Sequence, residues 1–198
     1  MEGRIMIKSK LDYKKFVEAD RIALNKSNNV GNRLRQIFFP DYIWAYQKRL
    51  RKLEYYKNCR PDVVGKIMYG LHRIKFRKQS LLLGFSIPIN TFGPGLAIVH
   101  YGTIIVSANA KIGKNCRIHA CTNIGASGGS SKAPQLGDNI YIGPGAKIFG
   151  DITLANNIVI GANSSVNKSF IESNVVLAGS PAVKIKTIDI KRVIPNAD

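Results

Sequence analysis

Proton transfer near neutral pH is the chemistry most readily open to this sequence, because histidine is the side chain poised for it and three are present: His72, His100 and His119. His72 lies beside Arg73, Lys75 and Arg77 in a stretch of helical spacing, where a histidine reads as a surface or packing residue. His119 follows Ile118 and reads as a turn residue, exposed at a corner of a repeat. His100 stands apart: it breaks the aliphatic register of Gly95-Leu-Ala-Ile-Val-His100-Tyr-Gly, six residues before Val106, and is the candidate general base. A zinc site would need several ligands, and the repeat holds only His100 and His119, nineteen residues apart, so no metal is expected. Cys59, Cys116 and Cys121 cannot all pair and show no Cys-x-x-Cys spacing, so they read as buried or idle thiols. The loop Gly128-Gly129-Ser130-Ser131 is not followed by a helical pattern and lacks the spacing of a nucleotide-triphosphate cradle.

The elements that must hold His100 announce themselves by period. An aliphatic residue followed by a mostly small or polar one recurs every six positions at Val106, Ile112, Ile118 and Ile124, and again after a loop at Leu136, Ile142, Ile148, Leu154, Ile160 and Val166. Six matches neither an α-helix nor a long strand. It matches short strands joined by tight turns, three hexads to a triangular coil, with the aliphatic residues stacked inside. Residues 83–98 carry similar composition without the clean spacing and are expected to start the same solenoid. Upstream, 11–25, 43–58 and 64–77 place apolar residues three and four apart, which predicts three amphipathic helices broken at 28–32 and 60–61. The last of these would pack through Val64, Met68, Leu71 and Ile74. A solenoid leaves an apolar cross-section at its end, so the helices are expected to cap the first coil. The division is 1–80 for the basic helical part, 81–186 for the β-helix and 187–198 for a C-terminal tail.

Charge separates the same two parts. Residues 1–80 hold 20 Lys+Arg against 7 Asp+Glu, and 81–198 hold 10 against 5, within a formal net charge of +18. Such a field attracts anionic partners of any kind. Nucleic acid is disfavoured, because the pattern contains no recognition motif or groove-reading helix. The run 48–78, with eleven cations against Glu54 and Asp62, points instead to an anionic membrane or an acidic polymer, with Trp44, Tyr55 and Tyr56 as amphipathic contacts. No apolar run approaches the length of a bilayer span and the first ten residues carry charge, so the expected place is the cytoplasm, with peripheral contact at the inner face of the plasma membrane.

Taken in order, the His100 segment, the hexads, Gly143-Pro-Gly-Ala-Lys-Ile-Phe-Gly150 and Ala178-Gly-Ser-Pro-Ala182 resemble the hexapeptide-repeat acyltransferases, most nearly the serine-acetyltransferase-like branch. The helical stretch 42–58 is similar to the shorter caps of capsule and lipopolysaccharide O-acetyltransferases. The resemblance implies a mainly β fold, a left-handed parallel β-helix with an N-terminal α-helical cap, assembled as a homotrimer. It implies acetyl-CoA as cosubstrate and His100 as the base that takes a hydroxyl proton. Coenzyme A would be lined by Ala126, Gly143, Ala146, Gly161 and Ala162, with Lys168 or Lys184 near its nucleotide end, and an amide of the 128–131 loop would face the thioester oxygen. Asn90, Tyr101, His119 and Lys132 are the acceptor-binding candidates.

Two departures bear on the acceptor. Where the family has a carboxylate fifteen residues before the base, this sequence has Phe85, with Ser86 and Asn90 the nearest polar residues. Where the family has a second histidine in the long loop, 126–135 offers Lys132 and Ala133. The resulting expectation is O-acetylation of a saccharide in capsule or lipopolysaccharide synthesis. The alternatives are a serine O-acetyltransferase of cysteine biosynthesis and a noncatalytic β-helix scaffold.

Overall fold

The computed structural model describes residues 6–27, 29 and 38–197. Its larger part is a three-sided prism of short parallel strands. One side stacks β1 (Phe85–Ser86), β3 (Ile104–Val106), β6 (Thr122–Gly125), β9 (Lys147–Phe149) and β12 (Ser165–Val166). The second stacks β4 (Lys111–Ile112), β7 (Gln135–Leu136) and β10 (Thr153–Leu154). The third stacks β2 (Ala97–Ile98), β5 (Arg117–Ile118), β8 (Tyr141–Ile142), β11 (Ile158–Ile160) and β13 (Val175–Gly179), and ends in the antiparallel β14 (Ala182–Thr187). The hexad register survives intact: Leu136 pairs with Leu154, Ile142 with Ile160 and Ile148 with Val166.

All ten hexad positions are at most 6% exposed. Each such side chain, removed from water, contributes about 1.5–3 kcal/mol to folding, which is why the period was visible. The small residue after the aliphatic one has a steric reason: a Cβ on Gly143 would sit 2.8 Å from the Ile160 carbonyl oxygen of the next coil. A second ladder climbs the edge between the second and third sides. Asn115 donates to Asn139, Asn139 to Asn157 and Asn157 to Asn174, at 2.8–3.0 Å. All four hold positive φ, which asparagine tolerates better than most residues.

Three helices precede the prism: α1 (Lys10–Ala23), α2 (Tyr42–Cys59) and α3 (Val63–Leu83). Side chains cap each start, Ser9 accepting from the Asp12 amide, Asp41 from Trp44 and Asp62 from Gly65. Gly84, at φ +77°, ends α3 and turns directly into β1. Of the expected breaks, 60–61 falls between α2 and α3, while most of 28–32 lies outside the described residues.

The cap is held by a buried polar network. Gln47 completes the edge of the first coil, donating to the Leu96 carbonyl (2.7 Å) and accepting from the Ile98 amide (3.0 Å). Arg51, fully buried, reaches Asp20 (2.8 Å), Glu54 (3.0 Å) and the carbonyls of Phe92 (2.9 Å) and Gly93 (2.6 Å). Asp20 accepts from the Gly95 and Leu96 amides, and Glu54 from Asn90. Burial pushes the carboxyls of Asp20 and Glu54 up, against the pull of the guanidinium between them.

Three expectations change. Arg51, counted with the exposed cations, is an internal ion. Trp44 is buried, and Tyr56 stacks on His72 with ring centres 5.6 Å apart, so neither forms the amphipathic rim expected of it. Helix α3 packs on α2 through Gly65, whose absent side chain admits the Arg60 backbone, and through His72 and Phe76, the latter stacked on Tyr46 at 4.7 Å. Val64, Leu71 and Ile74 face outward instead. Aromatic stacking and close backbone approach selected the other face.

Beyond β14 the chain folds back, and Ile190, Ile194 and Ala197 close over Val159 and Tyr141.

Candidate active site at one edge of the prism

His100 lies at the edge between the third and first sides, in the bend from β2 to β3, and is exposed. The coil above places His119 near it, ring centres 5.9 Å apart, and Tyr141 follows at 5.1 Å from His119. His119 is half-buried rather than exposed. Its Nε2 is shielded and without a partner among the described residues, and burial, then Arg117, then His100 push its pKa down. A neutral His119 leaves His100 free of a cationic neighbour on that side. The His100 ring makes no hydrogen bond among the described residues.

His100 opens onto a trough of about 280 Å³ between cap and prism, walled by Pro40, Asp41, Tyr42, Ile43, Val99 and Tyr101. Asp41, Ile43 and Val99 also border an adjoining space of about 150 Å³ lined by Lys26 and Arg117. Asp41 is the carboxylate of both. One of its oxygens caps α2 at 2.9 Å and the other pairs with Lys26. Arg117 has no side-chain partner among the described residues. Sequence reading passed over Asp41, Lys26 and Arg117; Asp41 after Pro40 carries the signal of a helix start, while nothing marks the two cations.

Except for Lys184, the expected site residues divide between two edges. His100, Tyr101, His119, Gly143, Ala146, Gly161 and Ala162 share the His100 edge. There Ala146 points wholly into the prism, so its side chain packs in the core and leaves only its backbone to a groove. Ala126, Lys132, Lys168 and Asn90 sit on the edge between the first and second sides. Lys132 pairs with Asp151 (2.6 Å), and Lys168 lies over Phe170. Asn90 exchanges hydrogen bonds with Asn58 (2.9 and 3.1 Å) and is taken up in docking the cap. Lys184, on β14, pairs with Glu172 (2.6 Å). Phe85 points inward against Tyr46, so position 85 packs in the core, and Ser86 faces outward. Among the described residues no three His, Cys, Asp or Glu side chains gather as metal ligands.

No family model matches the chain. It is 30% identical over 141 residues to the serine acetyltransferase of Synechococcus elongatus, across 70% of this chain and 50% of that protein. It is 32% identical over 128 residues to that of Staphylococcus xylosus, across 63% and 59%. The chain thus spans about half to three fifths of the length of these curated relatives. Serine acetyltransferase of Brucella abortus in complex with coenzyme A superposes with a TM-score of 0.68, covering 91% of this chain and 70% of that one at 22% identity. The Neisseria gonorrhoeae enzyme in complex with serine gives 0.65, covering 88% and 69%, also at 22%.

These likenesses overturn the expectation of a saccharide acceptor in capsule or lipopolysaccharide synthesis, because relatives and structural neighbours alike are serine acetyltransferases. Of the two departures, Phe85 packs in the core, and in the loop Ala133 is buried while Lys132 is exposed and paired with Asp151. In sequence and in fold, the chain is similar to the hexapeptide-repeat acyltransferases of the serine acetyltransferase type.

Proposed function

We propose that the chain is an acetyl-CoA-dependent serine O-acetyltransferase, built on a left-handed coil, in which His100 is the general base. The observation that carries the reading is the position of His100 on a trough that shares Asp41 with an adjoining space lined by Lys26 and Arg117, so that both signs of charge lie close by. An amino acid brings an ammonium and a carboxylate that need opposite partners. Asp41 suits the ammonium, which takes the place Lys26 holds, and Arg117 with the released Lys26 suits the carboxylate. The serine hydroxyl then faces His100. The imidazole takes the hydroxyl proton as the oxygen attacks the thioester carbonyl, and returns it to the departing coenzyme A thiolate. The products are O-acetylserine and coenzyme A.

Assembly follows from the split site. Gly161 and Ala162 lie beside His100, whereas Ala126, Lys132 and Lys168 sit on another edge of the same copy. Three copies around a threefold axis would bring one kind of edge against the other at every junction, completing a groove for the pantetheine arm between neighbours and closing the ring.

The test is incubation of the full chain with acetyl-CoA and serine, reading the serine-dependent product by mass spectrometry. One added acetyl group on serine is expected, and Arg117→Gln should raise KM for serine about tenfold with kcat changed less. No serine-dependent product would refute the reading. Light scattering should give three times the 21.8 kDa chain mass; a monomer would refute the shared groove.

A further inference from the structure

Helix α3 carries a second apolar surface that no described residue covers. Val64, Ile67, Leu71, Ile74 and Leu81 recur at intervals of three, four, three and seven, one continuous helical stripe, and each is 52–77% exposed. The stripe lies opposite the Gly65, His72 and Phe76 face that packs on α2. Contiguous apolar surface of this kind marks a place where something docks. At 100° per residue, Lys66, Arg73 and Arg77 run along one border, Lys75 along the other, and Lys78 sits within the stripe. All five are exposed, and α3 contains no Asp or Glu.

Two occupants suit the apolar spacing, the same helix of a second copy or the surface of a bilayer. Charge separates them. A second α3 would bring five more cations and no carboxylate to face these five, on chains that each carry +18. An anionic bilayer offers acyl chains to the stripe and acidic headgroups to its borders. None of the described helices is long and apolar enough to cross a membrane, so the helix would lie on the surface. We infer that α3 is a membrane-surface helix, holding α2 with one face and the interface of an anionic bilayer with the other.

The experiment is co-sedimentation of the full chain with vesicles of phosphatidylglycerol and phosphatidylcholine, and with phosphatidylcholine alone. Binding is expected to the anionic vesicles and to fall at least about tenfold as added salt shortens the Debye length from about 10 Å to about 3 Å. Leu71→Gln/Ile74→Gln should weaken binding about tenfold or more, and Lys75→Gln/Arg77→Gln should weaken it and flatten the salt dependence. Circular dichroism of both variants should match the parent. Failure to bind anionic vesicles at low salt would overturn the inference, as would equal binding to both vesicle types. So would a drop in oligomer mass on Leu71→Gln/Ile74→Gln, which would make the stripe a contact between copies.

Discussion

The prism and its helical cap reach the same burial by opposite means. In the prism two positions in six point inward, the hexad residue, which is aliphatic, and the more varied residue two before it, and coil stacks on coil with Ile142 over Ile118 and under Ile160. In the cap Ile43, Tyr46 and Leu50 join the core, but the open edge of the first coil is met by Gln47, Arg51, Asp20 and Glu54, each buried and each bonded to the backbone of the first coil or to one another. The difference follows from what each surface presents. A coil in mid-stack finds its backbone partners in the next coil, whereas the first coil leaves the Leu96 carbonyl and the amides of Gly95, Leu96 and Ile98 without strand partners. Side chains of the cap must supply them. An end cap is therefore as much a hydrogen-bonding problem as an apolar one.

That contrast can be broken most sharply at Arg51. Arg51→Met should cost about 3–5 kcal/mol, because it strands two buried carboxylates, and adding Asp20→Asn should recover part of the loss. Urea unfolding of both variants checks this, and an additive double variant would show that the network is not coupled. In the prism, Ile142→Ala should cost about 3 kcal/mol through the cavity it leaves, whereas Leu71→Ala, equally aliphatic but on the outward face of α3, should change stability by about 0.5 kcal/mol or less. Similar costs for the two would contradict the assignment of faces. The smallest expected effect is at His72. Burial and then the cations Lys52, Arg49 and Lys75 hold its pKa below the ordinary 6.5. The unfolded chain therefore takes up its proton first as pH falls, and stability present above about pH 6.5 is lost below it. The melting temperature should drop between about pH 7.5 and about pH 5.5, and drop less in His72→Phe; identical drops would remove His72 from the acid response.

The hexads were legible because one of the two inward positions per six residues is always aliphatic; the other, filled by residues as varied as Ala110, Cys116, Thr122 and Ser164, leaves no such period. The helices were legible as helices for a similar reason. Which face of α3 packs was not, since Val64, Leu71 and Ile74 make as good a stripe as Gly65, His72 and Phe76, and spacing alone does not say which one meets α2. The Arg51 network was illegible because its partners other than Glu54 come from 31 to 42 residues away in sequence, and an arginine in a basic helix looks solvated. The asparagine ladder left a trace, an Asn directly before Cys116, Ile140, Ile158 and Val175, but its period is blurred by the loop at 126–134. His100 was legible as a break in an aliphatic register. The trough that faces it and the adjoining space were not, because Asp41 and Lys26 come from the cap and Arg117 from the next coil.

The proposed role of His100, as the base that activates a serine hydroxyl, is tested by serine-dependent thiol release from acetyl-CoA by the parent chain and by His100→Ala. Turnover of His100→Ala should fall about 10² to 10⁴-fold, with coenzyme A binding nearly unchanged and His119→Ala less affected. Turnover of His100→Ala within about threefold of the parent, well short of that general-base contribution, would contradict it.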